Sequence, residues 1–127
     1  MRVIAPPGAV SILAIAAHPD DIESWCAGTL AVALDRGATA RLLLVTSGDA
    51  GSSDPAATRE SVAALREAEA RVAADRLGLA DVALLRYPDG EVENTRDLVA
   101  AIWSPRSGGG SRMQSLRMIR NARCRPM

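Results

Sequence analysis

The sequence has 127 residues, of which 48% are hydrophobic and 24% charged, a composition that fits one globular domain and leaves no room for two. No apolar run is long enough to cross a bilayer, and His-Pro-Asp-Asp follows the first apolar stretch where a signal peptide would have its cleavage site, so we expect a cytoplasmic protein without a membrane partner. The net charge is zero, but residues 1–101 hold nine arginines against fifteen acidic residues, whereas residues 102–127 hold six arginines and no acid.

Apolar runs and helix-like spacing alternate along the first four fifths of the chain. Strands that are buried on both faces are predicted at residues 10–17 and 40–46, with a short third strand at 82–86. Helices are predicted over 23–36 and 57–77, and from 94 to 102. This order predicts an α/β protein with a Rossmann-like open parallel sheet and flanking helices, of which the chain holds one part.

The second helix carries the clearest apolar spacing. Its large apolar residues recur at roughly helical intervals, and we expect them to face the core: Val62, Leu65, Ala68, Val72 and Leu77. Gly78 is expected to end this helix.

The pattern changes abruptly at Ile102, which we take as the boundary between a domain at 1–102 and an arginine-rich tail at 103–127. A Gly-Ser segment at 107–111 is followed by arginines and by no acidic residue. Three interpretations stay open: a disordered tail, a stretch translated in the wrong reading frame, and a basic arm for nucleic acid, which is the least favoured.

The loops after the predicted strands carry the candidate chemistry, because ligands of open parallel sheets bind beyond the carboxyl ends of the strands. His18, Asp20 and Asp21 follow the first strand, and imidazole and carboxylate groups are suitable ligands for Zn²⁺ or another divalent ion. Pro19 fixes the backbone so that His18 and Asp21 can turn towards one point, which leaves Asp20 as a base for a water molecule. Acids that merely cap a helix would explain Asp21, but not the histidine together with both aspartates.

Four blocks, in order over residues 10–101, resemble the PIG-L (LmbE-like) family of zinc-dependent de-N-acetylases. The first is Ala-His-Pro-Asp-Asp at 17–21 with Gly-Thr-Leu-Ala at 28–31, and the second is Val-Thr-Ser-Gly-Asp-Ala-Gly at 45–51. An Arg-x-x-Glu helix at 66–69 that ends in Leu-Gly and the segment Leu-Arg-Tyr-Pro-Asp-Gly-Glu at 85–91 complete the match.

The resemblance implies a hydrolase that removes the acetyl group from an N-acetylglucosamine-containing small molecule or glycoconjugate. Abundant alanine, and arginine without any lysine, indicate a GC-rich bacterial genome. His18 and Asp21 would then be two of the three zinc ligands, and Asp20 the general base. Arg66 and Asp89 would hold the amino sugar, since a guanidinium donates to hydroxyls and a carboxylate accepts from them. Two simpler roles stay open, namely a helix-surface ion pair of Arg66 with Glu67 or Glu69, and a Pro-Asp-Gly turn at Asp89.

The family's third ligand is a distal histidine, whereas His18 is the only histidine of this sequence. We therefore expect the 127-residue chain alone to bind zinc weakly and to be inactive. Two alternatives of other classes remain: a truncated, non-catalytic relative that acts as an interaction protein, and a nucleotide-binding Rossmann domain. The second lacks the Gly-x-Gly-x-x-Gly that allows a pyrophosphate close to the backbone.

Overall fold

The computed structural model describes residues 10–103, so the predicted tail lies outside the described residues except for Trp103. No helix in this range is long and apolar enough to cross a membrane. The elements in chain order are β1 (Ser11–Ala16), α1 (Asp21–Trp25), α2 (Ala27–Asp35), β2 (Thr39–Thr46), α3 (Arg59–Leu77), β3 (Val82–Tyr87) and α4 (Arg96–Trp103).

The three strands form one parallel sheet in the order β1-β2-β3, which confirms the predicted α/β class. β2 lies between the other two, and its apolar residues are accordingly the most deeply buried, with Ala40 and Leu44 fully inaccessible. Its even-numbered residues pack with β1 and the helices into one cluster, made of Ala16, Ile22, Leu30, Ala40, Leu42, Leu44, Ala70, Ala74 and Leu79.

The prediction that both faces of β1 are buried was wrong for this part of the chain. Ala16 is the only buried residue of β1, and Ile15 is 40% exposed. Successive side chains of a strand point to opposite faces. Ile12, Ala14 and Ala16 therefore contact the helix-covered cluster, while Ile15 lies on the other face at one edge of the sheet.

The first predicted helix, residues 23–36, is in fact two helices. Cys26 separates α1 from α2, because its φ of −143° is not helical. Its backbone still serves both helices, since its N–H donates to the Ile22 carbonyl at 3.0 Å and its carbonyl accepts from the Leu30 N–H at 3.0 Å. α1 starts at Asp21, which is itself one of the predicted metal ligands.

The limits of α3 follow from its two caps. Thr58 and Ser61 bond each other's backbone in a capping box, and Gly78 ends the helix in the left-handed conformation at φ 84°. The predicted core face was wrong in part, because Leu65 and Val72 are 60% and 51% exposed.

The face of α3 that is buried carries Val62, Glu67, Ala70 and Ala74. Ala70 and Ala74 belong to the core cluster together with Ala40 of β2. Small side chains let a helix backbone approach a sheet closely, so the helix here is oriented by its alanines, not by its largest apolar residues.

Leu44 and Leu65 offer a matched test of this burial. Leu44→Ala is expected to lower the free energy of unfolding by about 3 kcal/mol, because it leaves a cavity in the core of the sheet. Leu65→Ala should change it by less than about 0.5 kcal/mol, since that side chain is largely in water. Urea denaturation followed by circular dichroism measures both, and equal losses for the two variants would contradict the described packing.

Candidate active site

The site lies where the loops after β1, β2 and β3 meet, at the carboxyl edge of the sheet. Parallel strands place these loops side by side, although they are distant in sequence. The side chain of Thr46 at the end of β2 donates to the Ala17 carbonyl at 2.8 Å, which fixes the start of the first loop. The structure brings the predicted site residues together in two groups: His18 with Asp21 and Asp89, and Asp20 with Arg66.

His18 and Asp21 turn towards each other, as Pro19 between them suggested. The His18 Nδ1 and Asp21 Oδ2 atoms are 3.7 Å apart, and the same Oδ2 accepts the His18 backbone N–H at 2.9 Å. The turn at the start of α1 therefore sets the geometry of the His18–Asp21 pair. Both side chains are only partly buried.

The opposite side of the imidazole contacts Asp89 in the loop after β3. His18 Nε2 lies 2.9 Å from Asp89 Oδ1. Because an ionised carboxylate can only accept, a neutral His18 must carry its proton on Nε2, and Nδ1 then keeps a lone pair on the side of Asp21.

These residues suit two ligands of a divalent ion. Two donors of a tetrahedral zinc site with ordinary bond lengths lie roughly 3.4 Å apart, close to the 3.7 Å between His18 Nδ1 and Asp21 Oδ2. Metal-binding histidines commonly donate their other ring N–H to a carboxylate, and Asp89 Oδ1 lies where it would accept from a protonated His18 Nε2. Residues 10–103 hold no group of three or more histidine, cysteine or acidic side chains arranged for a metal, so this part of the chain contributes two ligands at most.

The Asp20 side chain lies beside Arg66 of α3. Its Oδ2 is 3.7 Å from a terminal nitrogen of Arg66, and 70% of the Asp20 side chain is exposed. The described ion-pair partner of Arg66 is thus Asp20 and neither Glu67 nor Glu69, which were the alternatives.

Two glycines of the β2 loop leave the space that Arg66 occupies. A Cβ on Gly48 would come within 3.0 Å of the Arg66 side chain and 3.2 Å of Pro19, and one on Gly51 within 3.0 Å of the guanidinium. Gly48 also has a φ of 64°, which glycine adopts without strain. The glycine-rich loop therefore packs against Arg66 and keeps its guanidinium beside Asp20.

A buried carboxylate that sequence reasoning did not single out lies beneath the loops. Glu67 is 8% exposed, and its two oxygens accept from Arg86 Nε and Nη2 at 2.9 Å each. Ser47 Oγ donates to the same carboxylate at 2.7 Å. The bonds from Arg86, with a smaller contribution from Ser47, outweigh burial and lower the pKa of Glu67 from 4.5 to about 2.

Arg86 also occupies an unusual backbone conformation, with φ 58°. It lies in a bulge of β3, since Leu44 pairs with Leu84 whereas Thr46 pairs with Tyr87. An extra residue in one strand changes the direction of the chain that follows. The bulge thus directs the next loop, where Pro88 and Glu91 close a turn with Gly90 at φ 83° and Asp89 at its tip.

Asp49 and Arg59 are the other residues that the sequence analysis did not assign. Asp49 Oδ1 accepts the Asp89 backbone N–H at 2.8 Å, and Arg59 lies against both aspartates. The polar composition of the β2 loop indicated a site, but the pairing of Asp49 with a loop forty residues away has no signature in a single sequence.

The family comparison identifies the class of protein that this fold and site define. The model of the PIG-L family, described as GlcNAc-PI de-N-acetylase, matches residues 13–120, and the chain belongs to this family. The resemblance predicted from the four sequence blocks is thereby confirmed.

Individual relatives agree with this assignment. A Bacillus anthracis protein described as "Probable N-acetyl-alpha-D-glucosaminyl L-malate deacetylase 2" is 37% identical over 86 residues, which are 65% of this chain and 38% of the relative. The chain thus spans well under half the length of that protein.

Two solved structures share the fold. The N,N'-diacetylchitobiose deacetylase of Pyrococcus horikoshii, solved with an inhibitor, is 29% identical with a TM-score of 0.72, over 74% of this chain and 35% of that one. The 4-carboxy-2-hydroxymuconate hydratase GalB of Pseudomonas putida is 25% identical with a TM-score of 0.63, over 69% and 38%.

Glu67 makes the free energy of unfolding depend on pH. Because its pKa is depressed in the folded state, its contribution is present above 4.5, the ordinary value, and is lost as the pH falls towards 2. Glu67→Gln is expected to lower the free energy of unfolding by about 2 kcal/mol at pH 7, and the difference from the wild type should shrink below pH 4.5.

Urea denaturation from pH 7 to 2.5 measures this difference. Glu69→Gln, an exposed substitution on the same helix, is the control and should stay within about 0.5 kcal/mol of the wild type. A Glu67→Gln deficit that is the same at pH 7 and at pH 3 would contradict the described ion pair.

Proposed function

We propose that this chain provides the metal-binding and base-carrying part of a zinc-dependent de-N-acetylase that acts on an N-acetylglucosamine-containing small molecule or glycoconjugate. The observation that carries the proposal is the position of His18, whose ring lies between Asp21 on one side and Asp89 on the other. The family membership and the two deacetylases among the relatives supply the reaction class.

His18 Nδ1 and Asp21 Oδ2 would hold the ion, which is zinc or another divalent metal. When bound, such an ion acidifies a water molecule and polarises the amide carbonyl. Asp20 would accept the proton of the attacking water and later deliver it to the leaving amine. Its largely exposed carboxylate suits this role, because it is next to the two ligands in sequence and open to a water molecule.

Arg66 and Asp89 would orient the amino sugar. The Arg66 guanidinium is near Asp20, so hydroxyls of a sugar bound there could accept from it while the acetamide faces the base. Asp89 uses Oδ1 for His18, and its second oxygen can accept from a sugar hydroxyl.

Hydrolytic zinc sites use three protein ligands, and this chain contains one histidine. We therefore propose that the chain alone binds the metal weakly and does not turn over substrate at the rate of a complete site. GalB shows that a related fold can serve a hydratase, so acetate release is the assay that separates the two reactions.

Metal binding tests the ligand assignment directly. Isothermal titration of the 127-residue chain with Zn²⁺ is expected to show one weak site, and His18→Ala or Asp21→Ala should lower the affinity at least tenfold, because each removes one of two ligands. Asp20→Asn is the matched control and should bind as the wild type does. Equal binding by the wild type and both ligand variants would refute the site.

A chimera tests the chemistry. The aligned 86-residue segment of the Bacillus anthracis relative is replaced by the matching segment of this chain, and acetate release from N-acetylglucosaminyl malate is measured. We expect zinc-dependent release, reduced at least 100-fold by Asp20→Asn with metal content unchanged, because only the base is removed. A folded, zinc-loaded chimera without activity, or one indifferent to Asp20→Asn, would count against the proposed roles.

A further inference from the structure

The contact between Asp89 and His18 joins the loops that follow the two outer strands of the described sheet. Asp89 follows β3 and His18 follows β1, and these strands are separated by β2. Two strand spacings amount to about 10 Å, so the β3 loop must pass over the end of β2 for its carboxylate to reach His18 Nε2. The short turn that carries Asp89 therefore lies against the loop after β2, and contacts with that loop can support it.

Asp49, in the loop after β2, lies at that place. Its Oδ1 accepts the backbone N–H of Asp89 at 2.8 Å, and only 14% of its side chain is exposed. A hydrogen bond from a backbone amide to a carboxylate is charge-assisted and fixes the peptide plane of the residue that donates. Asp49 thereby fixes the backbone from which the Asp89 side chain extends.

Arg59, in the first turn of α3, holds the backbone of Asp89 from the other side, through its carbonyl. One terminal nitrogen lies 3.3 Å from Asp49 Oδ2 and 3.1 Å from Glu91 Oε1. The other terminal nitrogen donates to the Asp89 carbonyl at 3.0 Å. The planar guanidinium thus contacts the β2 loop and the β3 loop at once, which the single ammonium of a lysine could not do with the same geometry.

We propose that Asp49 and Arg59 are positioning residues, a clamp that holds the Asp89 carboxylate on His18 Nε2. Neither residue touches the imidazole in the structure, so both act through Asp89. With Asp89 in place, the His18 proton stays on Nε2 and Nδ1 keeps the lone pair that a metal needs. This inference rests on the proposed metal site for its functional meaning, but the clamp itself concerns the histidine tautomer and can be measured without metal.

The sequence offers a clean probe, because His18 is its only histidine. Proton–nitrogen correlation spectra of the ¹⁵N-labelled 127-residue chain, recorded without metal well above the ordinary histidine pKa of about 6.5, report the tautomer of that one ring. The wild type is expected to show the Nε2–H form almost alone. The same chain in urea gives the unrestrained tautomer ratio for reference.

Two variants remove the clamp from different sides. Arg59→Gln and Asp49→Ala are both expected to move the tautomer ratio towards the urea value and to weaken Zn²⁺ binding about 10- to 100-fold. Asp49→Asn keeps an oxygen for the Asp89 N–H but loses the charge facing Arg59, so its ratio should fall between those of the wild type and Asp49→Ala.

Arg76→Gln is the matched control. Arg76 is exposed on the same helix, as Arg59 is, but it lies in the last turn of α3, whereas the site loops contact the helix at Arg59, Arg66 and Glu67. It should leave both the tautomer and the zinc affinity unchanged. Thermal unfolding of every variant shows that each tautomer spectrum comes from folded protein, and Asp49→Asn, the mildest change, provides the test if the others fail to fold.

The outcomes separate this inference from the proposed function. A wild-type tautomer fixed on Nε2 that relaxes in Arg59→Gln supports the clamp even if zinc does not bind, which would count against the metal site alone. A tautomer that is unrestrained in the folded wild type, or unchanged in all of the clamp variants, overturns the clamp whether or not zinc binds.

Discussion

The Glu67 carboxylate lies beneath the ends of β2 and β3, where it accepts from Ser47 Oγ and from Nε and Nη2 of Arg86. A carboxylate that is 8% exposed is tolerated only when its oxygens are satisfied in this way. These bonds join α3 to Ser47, just after β2, and to Arg86, near the end of β3. They also hold Arg86 in its left-handed conformation, and so maintain the bulge that directs the chain towards Asp89. The start of the loop after β3 therefore depends on the ion pair between Glu67 and Arg86.

Each of the three loops at the carboxyl edge of the sheet contributes different residues to the site. The β1 loop carries the groups proposed for chemistry, the β2 loop supplies glycines where Arg66 needs space and Asp49 where the neighbouring loop needs support, and the β3 loop supplies Asp89. Helix α3 serves all three, since Arg59, Arg66 and Glu67 each contact a different part of the carboxyl edge. Helix α3 therefore fixes the positions of the three loops relative to one another.

The sequence predicted the class of fold, the parallel sheet and the polar loops beyond the ends of its strands, because apolar runs and a dense polar motif are local signals. It failed where the outcome depends on packing. Leu65 and Val72 have the spacing of a core face, yet Ala70 and Ala74 allow the closer approach and decide which side of α3 is buried. The roles of Asp49, Arg59 and Glu67 involve long-range partners that no single sequence displays.

The arrangement of the strands also has a consequence for how the site opens. Within residues 10–103, β2 is hydrogen-bonded on both sides, whereas β1 and β3 are each bonded along one edge. Amides of the central strand should exchange with solvent deuterium only when the sheet as a whole unfolds, while those of the outer strands can exchange through local fraying. His18 follows one outer strand and Asp89 the other. Fraying of either strand would therefore separate the imidazole from its carboxylate before the core of the domain is lost.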